Sequence, residues 1–126
     1  MISAERRVQL APRPSSAAAA RRIVKRELRD IDPSARDVGV LLASELVTNA
    51  LLYARGDISL HISESEDWYR IGVWDASPVE VHRRHVGLDA TSGRGLALVE
   101  RLAQSWGVDV RDPDGKEVWF KVPRHA

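Results

Sequence analysis

Residues Leu41 to Ala54 read LLASELVTNALLYA, and this stretch decides how the rest of the chain is interpreted. Apolar residues occupy almost the whole circumference of the helix it predicts, which indicates burial on more than one side. Two polar residues, Glu45 and Asn49, interrupt it. At the helical period they lie about 40° apart. Both therefore fall on the inward arc marked by the apolar residues Val38, Leu41, Leu42, Leu46 and Leu52.

A carboxylate on a buried helix face needs an explanation, because burying an unpaired charge costs several kcal/mol. Glu45 is either satisfied inside the fold by an arginine or backbone donors, or reserved for a ligand, a metal ion or a reaction. This helix alone leaves both interpretations open.

Composition narrows the class of protein. With 126 residues, 44% of them hydrophobic, we expect a single domain over 1–126. A net charge of +1 with scattered arginines argues against direct nucleic-acid binding. The absence of cysteine excludes disulfides, thiolate metal sites and cysteine nucleophiles. No apolar run is long enough for a membrane span, and the first residues lack the core of a signal peptide, so we expect a cytoplasmic protein with no membrane contact.

The periodicity of the chain predicts alternating helices and strands. The helices cover Ser15 or Ser16 to about Leu28, with a serine as the cap, then about Ala35 to Tyr53, and then Gly93 to about Gln104 or Ser105, with Gly107 ending the last one. The predicted strands are Arg6 to Ala11, Ile58 to Ser63, Trp68 to Trp74, Val108 to Arg111 and Val118 to Val122. The last two are joined by a predicted turn at Asp112 to Gly115. Residues Ala76 to Ser92 show neither period and form a long loop.

This order predicts an α+β fold: a two-layer sandwich with a mixed, mostly antiparallel sheet and three helices on one face. The other face of the sheet is then open to solvent or to a partner. We expect most of Trp68, Trp74, Trp106 and Trp119 to be in the core, and one on the open face would be a dimer contact.

Two further features point toward the same site as the central helix. Asp75 ends a predicted strand, and Gly93, Arg94 and Gly95 open a helix, where backbone amides and the helix dipole favour an anion. Alone, each is more typical of a plain turn. Together with Glu45 and Asn49 they favour a nucleotide bound with magnesium.

The motifs and their order resemble the GHKL ATPase superfamily, which has the Bergerat fold, also described as the histidine-kinase-like ATPase domain. SELVTNALLYA is similar to its N box, WDASP to the start of its first glycine box, and GRGLALVERLAQSWG with GKEVWFKVP to its second box and last strand. The chain is most similar to the short anti-sigma-factor serine/threonine kinases of actinobacteria. The resemblance covers about Ser16 to Pro123, which would be the core of an ATP-binding kinase domain.

The resemblance implies a role for each matching residue. Asn49 would bind the Mg²⁺ that bridges the phosphates of ATP, and Glu45 would be the general base for the attacking hydroxyl, as phosphoryl transfer requires. Asp75 would accept the adenine amino group, and 79–92 would form the ATP lid. The remaining nucleotide contacts would come from Ser77, Gly93, Arg94, Gly95 and Leu96.

Two departures from the family pattern lie near the adenine. The first box lacks its glycines, since Ala76, Ser77 and Pro78 follow Asp75. Glu117 stands where a threonine often helps to hold the base, and a carboxylate there is expected to lie near Asp75 and repel it unless a cation lies between them.

The resemblance also implies partners, namely a sigma factor, an anti-anti-sigma protein of the STAS type and a second copy of the chain in a homodimer. An anti-sigma regulatory kinase that phosphorylates a serine or threonine of its antagonist is the first hypothesis. A non-catalytic module that senses nucleotide, or binds partners without it, is the second. A structural α+β domain with Glu45 locked to an arginine ranks last, because it leaves the motif order unexplained.

Overall fold

The computed structural model describes residues 2–53, 56–76, 97–111 and 115–125. Two helices, α1 (Ser15–Glu27) and α2 (Pro33–Tyr53), follow the first strand, and residues 97–102 are also helical. The strands are β1 (Ile2–Leu10), β2 (Ile58–Ser65), β3 (Trp68–Asp75), β4 (Ser105–Arg111) and β5 (Gly115–Pro123).

The five strands form one sheet in the order β1-β2-β3-β5-β4, and each pairing between the described strands is antiparallel. Helix α2 packs on β3 and β5, and α1 packs on α2. The α+β prediction is therefore confirmed, with a sheet that is antiparallel throughout these pairings. The core lies between the sheet and the helices and includes Leu28, Leu42, Ile71 and Phe120.

Helix α2 begins where the sequence provides a cap for it. A carboxylate oxygen of Asp32 accepts hydrogen bonds from the backbone N–H groups of Ser34 and Ala35, at 3.0 and 3.2 Å. These bonds satisfy amides that the first turn cannot pair internally.

The buried arc of α2 differs from the predicted one. Leu42 and Leu46 are buried, but Leu41 and Leu52 are 41% and 52% exposed. At the helical period both lie toward one edge of that arc. The prediction that Leu41 and Leu52 mark the inward arc was therefore wrong.

Helix α1 is not capped by a serine as predicted. Pro14 occupies the cap position, and no side chain caps the helix. The Ser16 hydroxyl donates instead to the carbonyl of Ala11 at 2.5 Å, which ties the helix back to the end of β1. A Cβ on Gly39 would lie 2.7 Å from Leu28 Cδ2, so the glycine lets α2 approach the end of α1 closely.

The prediction for Gly107 was also wrong. The described helical residues stop at 102, and β4 already begins at Ser105, so Gly107 lies within a strand. A Cβ there would lie 2.7 Å from Cζ2 of Trp119, and the glycine therefore makes room for the indole.

The strands around the predicted hairpin are present and longer than expected. β1 begins at Ile2 rather than Arg6 and is an edge strand, as predicted. β2 and β3 pair as the predicted hairpin, and β5 begins three residues before Val118. Residues 112–114 of the predicted turn lie outside the described residues.

The tryptophans do not form the core. Trp68, Trp74 and Trp119 are half-buried and lie on the face of the sheet away from the helices, and Trp106 is exposed. Successive residues of a strand face opposite sides of the sheet. The smaller side chains that alternate with the tryptophans of β3 and β5 therefore face the core. The expectation that most would be in the core was wrong.

The C-terminal end of α2 lies at the end of the sheet where β3 finishes. A surface groove joins Pro12, just after β1, to Thr48, Leu51 and Leu52 of α2. The same end holds the first residue of β2, which pairs with Leu10. In the middle of the layer, Gly39 lies near Ile71. Asn49 lies about 15 Å beyond Gly39 along α2, and Asp75 lies about 13 Å beyond Ile71 along β3. Both residues therefore lie at this end of the sheet.

Among the described helices, none has the length and apolar character needed to cross a membrane.

Candidate functional site

Asn49 is a buried polar residue with an unsatisfied acceptor. It is 6% exposed and lies in the next-to-last turn of α2, which ends at Tyr53. Its Oδ1 has no hydrogen-bond partner among the described residues. A buried oxygen left unpaired costs about 1–3 kcal/mol. The carboxamide oxygen is therefore free to bind a cation or a donor from a ligand.

Glu45 lies one helical turn before Asn49 and is half-buried. Residues four apart on a helix have Cβ atoms about 5–6 Å from each other. The carboxylate is thus beside the carboxamide and more open to solvent than the sequence predicts. A proton acceptor at this position can serve a group that approaches from outside the helix layer.

Asp75, predicted to mark a strand end, is the last residue of β3 and is 2% exposed. Both of its carboxylate oxygens accept hydrogen bonds from Lys116 Nζ, at 2.9 and 2.8 Å. The lysine side chain is 1% exposed. Residues 75 and 116 are directly opposed in the β3–β5 ladder, so the register of the sheet determines this ion pair.

Glu117 does not lie where the sequence predicts. The next residue after Lys116 points to the opposite face of the sheet, where its carboxylate contacts His61 Nδ1 at 2.6 Å and Arg70 at 2.8 Å. The expected repulsion between Glu117 and Asp75 is therefore wrong, because successive strand residues face opposite sides. A Cβ on Gly72 would lie 2.7 Å from the Glu117 Cδ, so that glycine provides the space.

Charged and aromatic side chains extend this cluster across the open face. Arg70 also contacts Asp109 at 3.3 Å and lies 4.9 Å from the centroid of the Trp119 ring. Lys121 lies 4.2 Å from the centroid of the Trp68 ring. Such cation–π contacts favour a fixed arrangement of the long side chains.

His61 has its pKa lowered from its ordinary value. Burial lowers it most, the Glu117 carboxylate raises it, and the positive charges of Arg7 and Arg70 lower it further. The neutral ring can donate from Nδ1 to Glu117, which fixes the tautomer.

A depression of about 410 Å³ lies over this cluster. It is on the far side of the sheet from the helices, so it is separate from Asn49 and Asp75. Its walls are Glu5, Arg7, Ser59, His61, Arg70, Trp74, Asp109 and Glu117.

Several of the predicted contacts lie outside the described residues. They are Ser77, Gly93, Arg94, Gly95, Leu96 and the lid at 79–92. Within the described ranges, no group of three or more histidine, aspartate or glutamate side chains could hold a metal ion.

The comparisons with known proteins identify the class. A family model described as the histidine kinase-like ATPase domain matches residues 10–122. The chain therefore belongs to the family of histidine kinase-like ATPase domains. Its five-stranded antiparallel sheet with helices on one side is consistent with that family. The family implies ATP binding, typically with Mg²⁺. No curated protein matches the chain.

The described residues fit the metal end of a magnesium nucleotide better than its adenine end. The unpaired Asn49 Oδ1 is an oxygen of the kind that Mg²⁺ prefers, so this end fits. At the other end, the carboxylate assigned to the adenine amino group already accepts two hydrogen bonds from an ammonium ion.

Lys116 and the open-face cluster were not predicted from the sequence. The lysine could have been noticed, because in β5 it shares the inward register with Val118, Phe120 and Val122, and a buried ammonium requires an anionic partner. The cluster of His61, Arg70 and Glu117 had no such signal, since three separate strands contribute to it.

Proposed function

We propose that this protein is an ATP-dependent regulatory kinase of the anti-sigma type, which phosphorylates a serine or threonine of an antagonist protein. The observation that carries the proposal is the buried Asn49 oxygen, which lies one turn after Glu45 and is unpaired within the described part of the chain, in a chain of this ATPase family.

Asn49 would hold the metal end of the nucleotide. When bound, Mg²⁺ neutralises charge on the phosphates. The carboxamide oxygen of Asn49 is oriented by the packing of α2, on which Leu46 and Ala50 are buried to either side. Preorganisation of this kind reduces the ordering needed on binding.

Glu45 would take the proton in the transfer step. The hydroxyl oxygen of the antagonist forms a bond to the γ-phosphorus of ATP, and the bond from that phosphorus to the β–γ bridging oxygen breaks. The proton passes to the Glu45 carboxylate and ADP leaves. Half-exposure of Glu45 suits this role, because a protein hydroxyl must reach it from solvent.

The test is transfer from labelled ATP with Mg²⁺ to candidate antagonists of the STAS type. We expect labelled antagonist with wild-type protein, and a loss of about 100-fold or more in Glu45→Ala. Thr48→Ala, an exposed change on the same helix, is the matched control and should transfer normally. Equal transfer by Glu45→Ala and wild type would contradict the assigned role.

A second candidate function, a partner-binding module that works without nucleotide, is favoured by the ion pair on Asp75. Calorimetric titration with ATP separates the two. Magnesium-dependent binding that is lost in Asn49→Ala supports the kinase and contradicts a module that works without nucleotide.

The partners of the proposed kinase are a sigma factor and the antagonist, in the cytoplasm, with a homodimer as the acting form. Purification from native cells followed by identification of the bound protein tests this. A sigma factor or a STAS-type protein supports sigma control, and a partner of another signalling class argues against it.

A further inference from the structure

The inward face of β5 carries one ammonium ion among apolar side chains. Lys116 is buried as completely as Phe120, and its Nζ lies 2.9 and 2.8 Å from the two oxygens of Asp75. A charge in this position is stable only with an opposite charge held against it. The contact is therefore a fixed part of the folded chain.

The backbone around the pair leaves little freedom for rearrangement. Gly115 has φ +109°, and a Cβ there would lie 2.2 Å from the carbonyl oxygen of Asp75. The start of β5 is thus pressed against the end of β3, and the ladder keeps residues 75 and 116 directly opposed.

This contact alters what Asp75 can accept. A neutral amino group of a purine would have to share the carboxylate oxygens with a cation, whose full charge attracts them more strongly than a neutral donor can. Each carboxylate oxygen has a second lone pair, but the ammonium already balances the charge that would strengthen the purine's hydrogen bond, so an amino group gains little from Asp75 while Lys116 is in place. Opening a buried pair is strongly unfavourable.

We propose that Lys116 sets the base selectivity of the nucleotide site by competing with the amino group of a purine for the Asp75 carboxylate. The inference rests on the proposed function, since it requires a nucleoside triphosphate held at Asn49. The protein then binds nucleoside triphosphates through the phosphates and the metal, with little discrimination for the group at position 6 of the purine.

The wild-type protein tests this directly by calorimetry with Mg²⁺ and three probes: ATP, purine riboside triphosphate, which lacks the 6-amino group, and inorganic tripolyphosphate. We expect ATP and purine riboside triphosphate to bind with Kd values within about threefold of each other, less than the contribution of one good hydrogen bond. A preference of about tenfold or more for ATP would overturn the inference, because Asp75 would then be reading the amino group with Lys116 in place.

The variant Lys116→Thr removes the competing cation. We expect it to bind ATP about tenfold more tightly than purine riboside triphosphate, the effect of a hydrogen bond to a charged group, with tripolyphosphate binding unchanged. Glu117→Thr is the matched control, since the adjacent residue is on the opposite face, and should behave as wild type. A folded Lys116→Thr protein with no gain in preference for ATP would overturn the inference.

The outcomes separate this inference from the proposed function. If tripolyphosphate binds and the wild-type protein strongly prefers ATP over purine riboside triphosphate, the nucleotide site is supported and the proposed role of Lys116 is wrong. If no probe binds, the proposed function fails, and the inference fails with it. Should Lys116→Thr not fold, the wild-type comparison still decides.

Discussion

Two ion-pair groups lie on opposite faces of the same sheet, and their environments are opposite as well. On the helix side, Asp75 and Lys116 are almost completely buried and contact each other at two points. On the open face, the Glu117 carboxylate is shared between His61 and Arg70, whose side chains are each 20% exposed. Adjacent residues of β5 supply one member of each group.

The difference teaches what each group can do. A buried pair is little screened by salt and is strongly unfavourable to break, so it restricts what may bind beside it. A partly exposed cluster with a histidine responds to pH and contributes less to stability. The charges alone do not distinguish the two groups, because burial decides the strength of each interaction.

The largest expected effect comes from breaking the buried pair on one side. Lys116→Met should lower the free energy of unfolding by about 3–5 kcal/mol, because it leaves the Asp75 carboxylate buried without its cation. Urea denaturation measures this. The double variant with Asp75→Leu removes both charges and should recover most of the loss, and a single-variant loss below about 1 kcal/mol would contradict the picture of a sealed pair.

The backbone that holds this pair should be nearly as sensitive. Gly115→Ala adds a Cβ that would lie 2.2 Å from the Asp75 carbonyl oxygen at φ +109°. Strain and overpacking together should cost about 2–4 kcal/mol in thermal or urea unfolding. Gly56→Ala is the control, since its φ is +124° with nothing within 4 Å of the added Cβ. It should lose only the strain, about 1–2 kcal/mol.

A smaller effect is expected from crowding the open-face cluster. In Gly72→Ala the new Cβ would lie 2.7 Å from Glu117 Cδ, at a side chain that can move. We expect a loss of about 1 kcal/mol, at the low end for overpacking, with weaker contacts to His61 and Arg70. Retention of wild-type stability and of the His61 pKa would show that the glycine is not needed for this arrangement.

The smallest effect is the pH dependence of the open face. Because the pKa of His61 is lowered in the folded protein, the folded state holds the proton less tightly than the unfolded one. Its contribution to stability is complete above about pH 6.5, the ordinary value for histidine. That contribution falls as the pH drops below 6.5 through the folded pKa. Wild type should therefore lose stability relative to His61→Gln between pH 7.5 and pH 5.5, as measured by urea denaturation at both values.

The same titration can be followed residue by residue. In Glu117→Gln the charge that raises the His61 pKa is gone, while burial, Arg7 and Arg70 still lower it. The pKa of His61 from NMR should therefore fall further below that of wild type. A rise would mean that Glu117 is not the principal partner of this histidine.

The sequence allowed the fold and part of the site to be predicted. Repeating apolar positions predicted α2 within two residues, and alternation predicted the β2–β3 hairpin. The placement of Asn49 on a buried face followed from the same periodicity. The exposure of Leu41 and Leu52 did not follow, because periodicity marks a face without saying how far the neighbouring elements extend over it.

The sequence by itself determined that Glu45 and Asn49 share one side of a helix and that Asp75 ends a strand, because helical and strand periods are local properties of the chain. Only the tertiary structure decided that Lys116, and not Glu117, meets Asp75. That outcome depends on the register between β3 and β5, two strands far apart in the chain, and a shift of one residue would exchange the two faces.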